Sequence, residues 1–271
     1  MSDRFEVLPF GTVLEEAAAF ATPLELTVTC SPRHGVDSTI GVAEQLSALG
    51  HRAVVHVAAR MIRDRDHLDV VLARLAAGGM DDMFLVGGDG PESLGPYSSA
   101  VELLEVVQAH PLRPRRVGIG AYPEGHPLIA EPVLREALRA KAQWADYVTS
   151  QMCFDPGVLI RWVEELRSDG VTLPMYIGVP GQVDRRRLLE ISVRVGVGTS
   201  IGMIRKQRGL RHLLGRPRHA AEELHVAIAP LVGQTDHGIA GFQYFTFNNL
   251  SATVGWSRRR SKTDEEAVLH G

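Results

Sequence analysis

The sequence predicts a (β/α)8 barrel on three observations. Short apolar runs of strand length recur eight times, segments with helical spacing separate most of them, and polar residues gather where the runs end. The strand-like runs are 5–9, 24–30, 53–58, 83–86, 117–121, 147–152, 175–179 and 242–247. Between them, 41–49, 66–77, 101–109, 132–144, 156–168 and 185–195 repeat Leu, Val and Ala at i, i+3, i+4 and i+7, so each would lay one face on a parallel sheet. An open doubly wound sheet is the competing architecture. It usually has fewer strands and a GxGxxG turn after the first, and no such turn follows the first run here.

Residues 196–232 break the rhythm. They are longer than one crossover needs, and extra helices are expected there before the last strand. After Trp256 the text becomes SRRRSKTDEEAVLHG, with few apolar residues to bury. The expected organisation is one barrel domain over 1–256 and a charged, mobile tail over 257–271.

Composition narrows the function classes. A chain of 271 residues, 45% hydrophobic and 23% charged, is ordinary globular material. With 29 Lys+Arg against 32 Asp+Glu, it has no global electrostatic reason to bind nucleic acid. Cys30 and Cys153 stand far apart and outside any zinc-type spacing, which points to a reducing compartment, by default the cytoplasm. The first twenty residues carry acids where a secretory signal needs an apolar core, and no stretch offers 18 uncharged apolar residues, so neither export nor a membrane is expected.

In such a barrel the chemistry sits at the carboxyl ends of the strands. Glu6, inside the apolar FEVLP, is the first catalytic candidate. Burial without a partner raises a carboxyl's pKa toward the range of a general acid; an edge strand with Glu6 facing water is the alternative. Asp89 follows two glycines that let backbone approach a ligand, so its carboxylate could face a developing cation; an ordinary GGDG turn is the alternative. His56 could contact an anion or could be a core histidine. Glu6, His56, Asp89 and His126 lack the close spacing of metal ligands, and no catalytic metal is expected.

Several of these runs, in this order, resemble the methylenetetrahydrofolate reductase family over about residues 4–250. RFEVLPF resembles the family's first strand with its essential Glu, LTVTC the second strand ending in Thr, and FLVGGD the fourth ending in Gly-Asp. AYPEGHP at 121–127 is the most specific match; TSQMCFD at 149–155 and GFQYFTFN at 241–248 resemble the sixth and last strands. The resemblance implies reduction of 5,10-methylenetetrahydrofolate to 5-methyltetrahydrofolate by a nicotinamide, within one-carbon metabolism and methionine biosynthesis. By position, Glu6 would protonate N10, Asp89 would hold the pterin and stabilise the N5-iminium cation, and Gln151 would hydrogen-bond the folate ring.

Family members pass the hydride through FAD. The positions matching flavin contacts are Thr29, His56, Gly88, Asp89, Tyr97, Tyr122 and His126, and Lys141 on the fifth helix is a further cofactor-binding candidate. Others depart from the family: Gly87 stands where it has Arg, Cys30-Ser31 replaces Tyr-Gly, and the fifth helix offers Arg135, Leu138 and Lys141. Loss of an Arg removes a charge-assisted contact to a diphosphate, so flavin affinity should fall, and hydride could pass directly from NADH or NADPH. Arg205, Lys206, Arg208, Arg211, Arg216 and Arg218 could attract a folate glutamate tail or a dinucleotide diphosphate, or form a solvated helical face. A folate- or corrinoid-linked methyltransferase and a non-catalytic folate-binding barrel remain competing functions, and oligomeric state is not legible.

Overall fold

The structure, a computed structural model, describes residues 3–30, 33–88, 92–126, 128–182 and 217–270. Eight parallel strands close into a barrel in sequence order: β1 (Arg4–Val7), β2 (Glu25–Val28), β3 (Arg52–Ala58), β4 (Asp82–Val86), β5 (Arg116–Ala121), β6 (Tyr147–Met152), β7 (Met175–Pro180) and β8 (Ile239–Phe245). The helices described around it are α1 (Val13–Ala18), α2 (Gly35–Ala48), α3 (Arg65–Ala77), α4 (Ala100–Gln108), α5 (Glu131–Ala142), α6 (Pro156–Ser168), α7 (Pro217–Ile228) and α8 (Leu250–His270). The expected barrel is present.

Strand alternation divides the core in two. Phe5, Val7, Leu26, Val28, Val55, Val57, Met83 and Leu85, with their equivalents around the barrel, face outward into one large apolar cluster with the helices. The intervening residues face the lumen, where Val54, Phe84, Tyr147 and Tyr176 form a separate cluster. The two faces explain why the strands read as short, nearly continuous apolar runs.

At the amino-terminal end of the lumen the filling is charged. Arg4, 1% exposed, ion-pairs with Glu25 and with Asp82 at 2.8 Å, and its guanidinium lies 3.9 Å from the Tyr176 ring centre and 4.3 Å from that of Tyr147. Tyr147 donates to Asp82 at 2.7 Å, and Arg116 donates to the Tyr176 hydroxyl at 3.1 Å. Gly118 makes room for this plug: a Cβ there would lie 2.1 Å from the Tyr147 ring.

Two helical extents lie outside the helical segments that the sequence delimits. The first helix, α1, is only six residues long and has too few positions to show a period. Residues 257–270 continue α8. Their first turn is tied down by polar partners rather than apolar burial: Ser257 donates to Asp3, Arg258 to Thr22 at 2.6 Å, and Arg260 ion-pairs with Glu222. The helix expected at 185–195 and the basic residues Arg205, Lys206, Arg208, Arg211 and Arg216 lie outside the described residues. Among the described residues, no helix is long and apolar enough to cross a membrane.

Candidate active site

Glu6 shares the inward face of β1 with Arg4, two residues nearer the carboxyl-terminal mouth. Its backbone is held from the last strand and the turn after it. The Thr246 hydroxyl donates to the Glu6 carbonyl at 2.6 Å. The Asn248 side chain accepts from the Leu8 amide at 2.8 Å and donates to the Leu8 and Phe10 carbonyls at 3.3 and 2.6 Å. Asn248 occupies the left-handed region, φ 53, which a short polar side chain tolerates. The Glu6 carboxyl itself has no hydrogen-bond or ion partner among the described residues, and burial alone pushes its pKa up to about 8. At neutral pH it holds its proton.

His56 enters the lumen from β3, with its ring centre 4.7 Å from that of Phe84. Burial pushes its pKa down to about 3, so it is neutral, which removes the charge an anion contact would use. Thr29 spends its hydroxyl on the Val7 carbonyl, 3.2 Å away. Gly88 adopts φ +96 at the end of β4, where a Cβ would also press on Ala58 at 3.2 Å, so both conformation and space require glycine. The next residue, Asp89, lies outside the described residues, as does Pro127. Tyr97 is buried in the segment leading to α4.

The loop after β5 makes a turn in which the Gly125 amide donates to the Tyr122 carbonyl at 3.0 Å, with Pro123 at the position its fixed φ favours. The turn brings Tyr122 and His126 together edge to face, 5.1 Å between centres. His126 accepts from the Leu128 amide through Nδ1, at 3.2 Å, which puts the proton of the neutral ring on Nε2. At the end of β6 the register against β7 shifts between Thr149 and Met152, and Gly178 meets the Gln151 carbonyl so closely that a Cβ would lie 2.6 Å from it. Gln151 is exposed there; its side-chain oxygen accepts from the Met152 amide at 2.8 Å, leaving its NH2 without a partner among the described residues.

The fifth helix is engaged within the fold. Arg135 pairs with Glu131, Glu165 and Asp169 at 3.1, 2.6 and 3.2 Å, joining α5 to α6. Lys141 donates to the Gly120 carbonyl at 2.8 Å in a pocket behind β5 lined by Leu134, Leu138, Trp162 and Leu166, and burial pulls its pKa down to about 8. Among the described residues, no group of three or more His, Cys, Asp and Glu side chains could hold a metal ion.

The roles of two participants are not legible in the sequence. Asn248 is one of the polar residues that close the last apolar run, but nothing in the sequence shows that it clamps the turn following β1 at the same end of the barrel. Glu124, inside AYPEGHP, accepts from the Phe154 and Asp155 amides at 2.5 and 2.8 Å. Its signal was a carboxylate in a Pro-Glu-Gly turn, a position usually free to face water.

A family model and a curated relative point to one family. The family model described as methylenetetrahydrofolate reductase matches residues 14–185, more than half of the chain; that span takes in Thr29 to Gln151 but not Glu6. Methylenetetrahydrofolate reductase 1 of Schizosaccharomyces pombe is 25% identical over 121 residues, covering 41% of this chain and 20% of that protein, so the match spans about a fifth of the relative's length. Among solved structures, dihydropteroate synthase from Thermus thermophilus aligns over 98% of this chain and 92% of its own, with 14% identity and a TM-score of 0.46. A class V chitinase from Cycas revoluta aligns over 66% of this chain and 68% of its own, with 10% identity and a TM-score of 0.40.

Proposed function

The chain belongs to the methylenetetrahydrofolate reductase family, and from that premise we propose that it reduces 5,10-methylenetetrahydrofolate to 5-methyltetrahydrofolate with a hydride from NADH or NADPH and without resident FAD. The observation that carries the reading is Glu6: an inward carboxyl on the first strand, protonated at neutral pH and lacking a partner among the described residues. The bridging methylene accepts hydride poorly while N10 holds it in a ring. Proton transfer from Glu6 to N10 breaks the C–N10 bond and leaves an N5-iminium cation. Hydride from the dihydronicotinamide then closes the reaction at the methylene carbon, and Glu6 regains a proton from water. A general acid of this kind contributes about 10²–10⁴ in rate when its pKa lies near the working pH.

Gln151 is assigned to the folate ring through its unspent NH2, and Asp89 to the cation that forms at N5. Thr29, His56, Gly88, Tyr97, Tyr122 and His126 then line the space shared by the pterin and the nicotinamide. His56, being neutral, contributes shape and a hydrogen bond rather than charge. The residues of α5 do not fit a flavin diphosphate. Arg135 is matched by three carboxylates and Lys141 is turned to Gly120, so neither offers the free cation such a group requires. No step is therefore routed through a flavin.

Folate-dependent oxidation of NADH by purified protein tests the reading. A methyltransferase or a folate-binding protein without catalysis would leave the nicotinamide unoxidised, and either result would end the reductase assignment.

A further inference from the structure

We propose that Glu124 is a positioning residue, a carboxylate clamp that holds the loop carrying Gln151 in register with the loop carrying Tyr122 and His126. The proposal rests on the reading of the mouth as a folate site. One oxygen of Glu124 accepts from two consecutive backbone amides, Phe154 at 2.5 Å and Asp155 at 2.8 Å. Those amides follow the shifted register at the end of β6, where regular barrel pairing no longer sets the chain's course. Asp155 then caps α6, its side chain accepting from Val158 at 3.0 Å.

The rest of the segment is pinned from the other side. Cys153 donates its amide to the Gly178 carbonyl at 3.0 Å, and the Ser150 hydroxyl accepts from the Gly178 amide at 2.8 Å. These contacts tie the segment to β7. Past the last β5–β6 ladder pair, Ser150 opposite Ala121, Glu124 ties the segment toward β5 and so sets its distance from Tyr122 and His126. The turn geometry explains how: Gly125, at φ +84, reverses the chain after Pro123 and leaves Glu124 at the tip facing the neighbouring loop. A carboxylate accepting amide bonds is among the stronger uncharged-donor contacts available.

The test compares Glu124→Ala, Glu124→Asp and Glu124→Gln in the full chain. Gln keeps an oxygen at the same reach, Asp is one carbon short, and Ala has none. In the Ala and Asp variants, amide exchange at Phe154 and Asp155 is expected to quicken at least about tenfold, with the β1 and β8 amides unchanged. KM for methylenetetrahydrofolate is expected to rise about tenfold with kcat within about twofold, because ground and transition states lose the same contact. The Gln variant should restore both. Unchanged exchange at those two amides in the Ala variant would overturn the clamp, whether or not the wild type turns over folate. Quickened exchange with an unchanged KM would overturn its positioning role. A wild type that oxidises no NADH with folate would instead refute the function proposed above, leaving the exchange result to decide the clamp.

Discussion

Replacing Glu6 by Gln preserves the shape of the side chain and removes its proton. In the unfolded chain this carboxyl titrates near 4.5, and in the folded chain near 8. Between those values the folded state keeps a proton that the unfolded state has released, so stability falls as pH rises through that window and levels off above it. At about 1.4 kcal/mol per pKa unit, the full window amounts to on the order of 5 kcal/mol, a ceiling because water at the barrel mouth solvates part of the carboxylate. Glu6→Gln should therefore become more stable relative to wild type as pH rises from about 5 to about 8, the gap then staying constant. Urea unfolding at a series of pH values reads this directly, with the slope checked for constancy. The same variant should lose about 10²–10⁴ in kcat, and wild-type kcat/KM should fall on the alkaline side near pH 8, where the free enzyme gives up the proton. Parallel stability curves for the two proteins would refute the burial argument, and a variant of wild-type activity would refute the acid role.

Other perturbations test the scaffold. Arg4→Ala leaves Glu25 and Asp82 buried without their shared cation and should lower stability by about 3–5 kcal/mol by urea unfolding; a loss below about 1 kcal/mol would contradict the ion plug. Gly118→Ala drives a methyl into Tyr147, which Asp82 holds in place, and should destabilise by about 1–3 kcal/mol or more in the same assay. Asn248→Ala removes three hydrogen bonds at the junction of β1 and β8 and puts Ala at a positive φ; it should lower the unfolding midpoint and reduce kcat/KM, since the strand it releases carries Glu6. An Asn248→Ala variant with wild-type kcat/KM would separate that clamp from the site.

The barrel was legible because each parallel strand is buried on both faces, which writes it as a short apolar run that loops interrupt. Glu6 was legible for the complementary reason: a carboxylate in such a run is conspicuous. Arg4 was not, because an arginine at the start of a strand looks like a solvated flank until Glu25 and Asp82, distant in sequence, are seen to surround it. Glu124 hid in the same way, its partners thirty residues away and on the backbone, which no side-chain pattern records. The segment after Trp256 read as a tail because its apolar residues run out, whereas what holds its first turn are hydroxyls and guanidiniums paired with Asp3, Thr22 and Glu222. The basic residues of α5 looked available to a diphosphate, but the carboxylates that take up Arg135 lie partly on α6, and only the packed pair of helices brings them together.

The absorbance spectrum of purified protein, taken alongside its NADH oxidation with methylenetetrahydrofolate, bears most directly on how electrons reach the substrate. The account predicts turnover that depends on the folate, from protein without a flavin band and unaffected by added FAD. Stoichiometric flavin in the active protein, or activity that appears only when FAD is supplied, would contradict it.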